Sequence, residues 1–133
     1  KSSIAMFISE LLNKVVKDES HAQEIFNYIS TAMTTLDNMQ GGVENFHLRF
    51  LIRLSHYLGF GPANERELLG PRYASAEEED GIRQLIAKET LSKLKLTAVM
   101  RRNLLEHLLA FYREHIENFT EMRSISVLRE VLE

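Results

Sequence analysis

The chain has 133 residues, 44% of them apolar and 26% charged, with a net charge of −3; this is the composition of one globular domain burying roughly two-thirds of its unfolded surface. That charge argues against a broad nucleic-acid surface of clustered lysine and arginine, although a local basic patch stays open. With no cysteine, disulfides, thiolate zinc sites and cysteine nucleophiles are excluded, and no apolar run approaches the roughly 18 residues of a membrane span.

From the start of the chain, Ile4, Phe7, Ile8, Leu11, Leu12, Val15 and Val16 recur at three- and four-residue spacing. They predict an amphipathic helix capped by Ser2 or Ser3. After "KDES", Ser20 is the expected cap of a second helix with Ile25, Phe26, Ile29, Ala32, Met33, Leu36 and Met39 on its apolar stripe. "QGG" at 40–42 ends it. The third helix is predicted from about Val43 to Leu58, with Gly59 as a left-handed stop and Pro62 beyond. Val43, Phe46, Phe50, Leu51, Leu54, Tyr57 and Leu58 form its broad face, and Leu48 and Ile52 a smaller patch roughly opposite. A helix apolar on two sides is sandwiched between neighbours, which makes this one central.

The stretch "FGPANERELLGPRYA" reads as a long connection with a short turn at Glu67 to Leu69. Ser75 and Glu78 fit a capping box opening a fourth helix through Ile82, Leu85 and Ile86; the acidic run Glu77 to Asp80 sits where the helix dipole favours it. "KETLSKLKL" continues that helix or forms a short one. Thr97 then caps a long helix bearing Leu104, Leu105, Leu108, Leu109, Phe111, Tyr112 and Ile116, and Ser124 caps a last one with Val127, Leu128, Val131 and Leu132. No strand alternation persists. The expected fold is all-α, a bundle of five to six helices around the helix at about 43–58, forming a single helical domain over 1–133.

Chemistry is harder to find. Glu44 and His47 make one Glu-x-x-His pair, where a di-iron bundle needs two plus further carboxylates. His47 therefore reads as a hydrogen-bonded core or boundary histidine, and neither metal nor cofactor is expected. No phosphate loop or nucleophile arrangement is present, so the chain is read as not an enzyme. The pair Arg101 and Arg102 reads as a solvated face.

Arg49 and Arg53 stand one turn apart on the central helix. They are either surface charge, ion-paired with Glu44, Glu10 or a neighbouring helix, or the edge of a binding site beside Leu48 and Ile52. An apolar patch with a guanidinium at its rim suits an acidic peptide with an apolar end, because arginine can fork onto a carboxylate.

The stretch "NFHLRFLIRLSHYLGFGP" at 45–62 resembles the central helix of the RecO family of recombination mediators, as found in Bacteroides-type bacteria. "FISELL" at 7–12 resembles that family's first helix after its oligonucleotide-binding domain, and "LLAFYREHIENFTEMRSISVLREVL" at 108–132 its C-terminal helices. The resemblance implies a DNA repair and recombination mediator that loads recombinase together with RecR, anneals strands, and works in the bacterial cytoplasm at the nucleoid. It further implies that this is the helical C-terminal part, with DNA met mainly by an N-terminal oligonucleotide-binding domain absent from this chain. Its partner would be the acidic C-terminal tail of single-stranded-DNA-binding protein. Matching Leu-Gly-Phe-Gly ends puts Arg49 and Phe50 over an Arg-Phe pair of that family helix. This implies Arg49 as the clamp on the tail's terminal carboxylate, with Leu48, Ile52 and Arg53 as pocket neighbours on geometry. "ANERELLGPRYASA" has no cysteine where many members carry a four-cysteine zinc module, so a structural zinc is not expected. The competing class is a ligand-sensing or dimerisation domain of a transcription regulator, which would need a closed apolar cavity and a two-helix dimer interface.

Overall fold

In the computed structural model residues 19–87 and 91–116 are described, with positions 6, 9 and 10. Among these residues there are five α-helices and one 3-10 turn, and no strand: α1 Glu19–Asn38, α2 Val43–Tyr57, α3 Glu65–Leu69, α4 Ala76–Ile86, the turn Leu91–Lys93, and α5 Ala98–His115. The fold is all-α. Of the expected helix at 4–16 only positions 6, 9 and 10 are described, and the expected helix after Ser124 lies outside the described residues.

The local signals operate as their chemistry demands. Ser75 accepts from the Glu78 amide while Glu78 reaches back to the Ser75 amide, closing the capping box of α4. Thr97 accepts from Met100 N at 3.1 Å and starts α5. Asn64 caps α3 through the Glu67 amide, so the connection holds a helix a little longer than the expected turn. The end of α2 is a Schellman motif. Gly59, at φ +96°, donates to His56 O, and Phe60 N donates to Ser55 O. One assignment fails, since Ser20 falls inside α1 rather than capping it.

α2 is the hub, packing against α1, α4, α5 and the turn. Ten of its fifteen residues are buried. Leu51 and Leu54 meet the core that Leu104, Leu105 and Leu108 of α5 build. The wholly buried Tyr112 fastens α5 to α2 by donating to Leu51 O at 2.6 Å; burying that phenol without a partner would cost a few kcal/mol. Between α4 and α5, Glu78 accepts from His107 Nε2 and Asn103 Nδ2, both at 3.1 Å. Arg72 ties α3 to α5, donating to Leu68 O and His107 O and pairing with Glu114.

The stripe Asn45, Leu48, Arg49 and Ile52 faces α4 and the turn, because Asn45 and Arg49 bond to carbonyls there. Leu48 and Ile52 are consequently covered, at 0% and 2% exposure. The sandwiching expected of α2 holds. Leu48 and Ile52, expected to border a binding pocket, belong to the buried core. On α1 the departure is Phe26, placed on the apolar stripe by its spacing but 60% exposed.

Candidate functional site

A groove of about 490 Å³ runs between α1 and α2, with Leu91 of the turn also lining it. Its α1 wall is Tyr28, Thr31, Ala32 and Thr35; its α2 wall is Phe46, Arg49, Phe50 and Arg53. Three of the five candidate residues, Arg49, Phe50 and Arg53, therefore line one cavity. Leu48 and Ile52 lie outside it.

Antiparallel packing of α1 on α2 sets four rings in series. Tyr57 stacks on Tyr28 at 4.5 Å, Tyr28 on Phe50 at 5.6 Å, and Phe50 on Phe46 at 5.9 Å, with interplanar angles of 22°, 15° and 19°. Phe46, Phe50 and Tyr28 of this series give the groove an apolar aromatic floor, with Tyr57 stacked behind Tyr28. Burial pushes the Tyr28 hydroxyl far above its usual range, with Arg53 pulling the other way and Tyr57 adding to the rise. It stays a neutral donor, 3.4 Å from Phe50 O.

The two arginines differ. Arg53 is exposed on the groove rim and makes no ion pair among the described residues. Arg49 is 5% exposed, and its Nε donates to Leu85 O and one Nη to Gln84 O, each at 3.1 Å. Those carbonyls belong to the last turn of α4, where no helical amide follows to receive them. Arg49 is thus a cap on the α4 C-terminus, and its charge suits that end of the helix dipole. The clamp role given to Arg49 from the sequence meets a side chain already bonded on two sides, so Arg53 is the groove's accessible cation.

His47, read from the sequence as a hydrogen-bonded histidine, is 2% exposed with no hydrogen bond to either ring nitrogen. Burial lowers its pKa to about 4, assisted by the Arg101 guanidinium, so it stays neutral. Glu44 is exposed, so the Glu-x-x-His pair does not converge. Among the described residues no group of three or more His, Asp or Glu is placed to hold a metal ion. No helix there is long and apolar enough to cross a membrane. Arg101, read as a solvated residue, is half-buried and donates to Leu96 O at 2.7 Å. Sequence reasoning missed Tyr28, Thr31, Thr35 and Leu91. The first three recur at three- and four-residue steps beside the apolar stripe of α1, a usable signal; Leu91 joins through tertiary packing alone.

The family model described as "Recombination protein O C terminal" matches residues 1–69, a stretch that contains both long walls of this groove. The chain belongs to the RecO family. Curated relatives agree. It is 28% identical to the DNA repair protein RecO of Azobacteroides pseudotrichonymphae, over 100% of this chain and 63% of that protein. It is 28% identical to that of Bacteroides fragilis over the same shares, and 30% identical to that of Flavobacterium psychrophilum over 98% and 61%. The chain spans a little over three-fifths of the length of these RecO relatives. The first alignment runs over 153 positions against 133 residues here, so that RecO carries residues this chain lacks. No solved structure gives a significant match.

Proposed function

We propose that this is the helical interaction domain of a DNA repair and recombination mediator, and that the α1–α2 groove receives the acidic, apolar-ended C-terminal tail of single-stranded-DNA-binding protein. It works by binding rather than by catalysis, alongside RecR in loading recombinase and annealing strands, in the bacterial cytoplasm at the nucleoid. The relatives named as DNA repair proteins support that context. The observation that carries the binding reading is an accessible guanidinium, Arg53, at the rim of a groove floored by Phe46, Phe50 and Tyr28.

The chemistry divides between the parts. A terminal aromatic ring of the peptide exchanges water for the aromatic floor, worth up to about 3 kcal/mol at 25 cal/mol per Å². Carboxylates near that end meet Arg53, whose pull falls off beyond a screening length of about 8 Å at physiological salt. The Thr31 and Thr35 hydroxyls, along the α1 wall, suit an extended backbone. Exposed residues border the groove, which favours a docked segment over the closed cavity a ligand-sensing domain would need.

A fluorescent acidic peptide ending in phenylalanine should bind with micromolar affinity, about −8 kcal/mol, more weakly as salt rises. Arg53→Glu should lower that affinity at least tenfold, roughly 1.4 kcal/mol, with the fold intact because the residue is exposed. Equal binding by wild type and Arg53→Glu would reject the groove as the site.

A further inference from the structure

Asn45 and Arg49 stand one turn apart on α2, and each leaves the helix to hold a backbone carbonyl elsewhere in the chain. Arg49 takes Gln84 and Leu85 at the end of α4. Asn45 Nδ2 donates to Leu94 O at 3.0 Å, and Leu94 N donates in turn to Leu91 O at 3.0 Å. A two-bond relay therefore runs from inside α2 to Leu91, which lines the groove. Asn45 is wholly buried and its Oδ1 has no hydrogen-bond partner. A buried amide satisfied on only one side is a poor stabiliser; its single bond is the one that fixes the turn.

We propose that Asn45 is a positioning residue for the groove, setting Leu91 against Phe46 and Arg49 through the carbonyl of Leu94. The inference deepens the peptide-binding reading above and rests on it. Without the Asn45 amide the turn Leu91–Lys93 loses its tie to α2, and the groove loses a fixed wall on the side away from α1. Binding then weakens although no residue that would touch the peptide has changed.

Titration of the same phenylalanine-ended peptide against wild type, Asn45→Ala, Leu91→Ala and the double variant tests this. Leu91 is partly exposed, so Leu91→Ala gives a folded reference even if Asn45→Ala is weakened. Each single variant should bind roughly tenfold less tightly, the scale of one lost apolar wall. The double variant should bind no worse than Leu91→Ala alone, because residues acting through one contact are not additive. In the free protein, hydrogen exchange at the Leu94 amide should speed up in Asn45→Ala. An Ile82→Val control, changing the α4 core away from the groove, should bind like wild type. Unchanged affinity in Asn45→Ala, or losses that add in the double variant, would overturn the relay while leaving the groove in place. Absence of binding by wild type would instead remove the functional reading and the relay with it.

Discussion

Arg49→Glu is expected to unfold the domain or bring it close to unfolding, rather than to silence the groove selectively. The guanidinium sits at 5% exposure and donates to two carbonyls at the C-terminus of α4. A carboxylate there would face two carbonyl oxygens and the negative end of the helix dipole with little water to screen it. Losing buried charged hydrogen bonds and inserting an unpaired charge costs about 3–5 kcal/mol, against a total stability of about 5–15 kcal/mol for a domain. Arg49→Leu removes the bonds without the misplaced charge and should cost about 2–4 kcal/mol. Arg53→Glu, on the exposed rim, should stay within about 0.5 kcal/mol of wild type. Urea denaturation of the three variants measures the order directly. Wild-type stability in Arg49→Glu would show that its bonds to α4 are dispensable. Arg53, not Arg49, is accordingly the position at which binding can be tested without confounding the fold.

His47 sets the second large effect, on the acid side. Its pKa falls from 6.5 in the unfolded chain to about 4 in the folded one, through burial and then the nearby Arg101. Between those values the unfolded chain binds a proton that the native state refuses, so stability rises with pH across the window. Falling from pH 7 to 5 should cost about 2 kcal/mol from this residue alone. Glu78 shifts the other kind of group. Burial raises its pKa, but the hydrogen bonds from His107, the Ser75 amide and Asn103, together with the charge of His107, outweigh it and leave the carboxyl below 4.5. Its stabilisation is therefore complete above that value and fades only at lower pH, which keeps pH 5 diagnostic of His47. Since neither ring nitrogen of His47 has a partner, His47→Leu should lose little at pH 7 and exceed wild type at pH 5. Parallel acid profiles of the two proteins would contradict this account of the buried ring.

Much of the fold can be read from local chemistry. Ser75 with Glu78, and Thr97, announce helix starts through side-chain bonds to free backbone amides, and Gly59 announces a helix end through the positive φ that glycine tolerates. The site was legible only in part, and the reason lies in α2. A helix that is apolar around most of its circumference does not declare which side stays open. Leu48 and Ile52 are as hydrophobic as Phe46 and Phe50, yet α4 and the turn cover the former, while α1 leaves the latter as a groove floor. The same ambiguity governs the arginines. One turn separates Arg49 from Arg53, and their different fates depend on where α4 ends, a tertiary fact. Leu91, far along the chain and carrying no motif, reaches the groove through tertiary packing against the core.

Chemical-shift mapping would locate the bound peptide on the domain. The ¹⁵N-labelled protein would be titrated with the acidic, phenylalanine-ended peptide and followed by its backbone amides. Tyr28, Thr31, Thr35, Phe50, Arg53 and Leu91 should shift in a saturable manner, while amides in the middle of α5 such as Leu105 and Leu108 stay in place. Saturable shifts centred on α5 or α3, with the α1–α2 amides unmoved, would place the partner on another face and contradict binding in the α1–α2 groove.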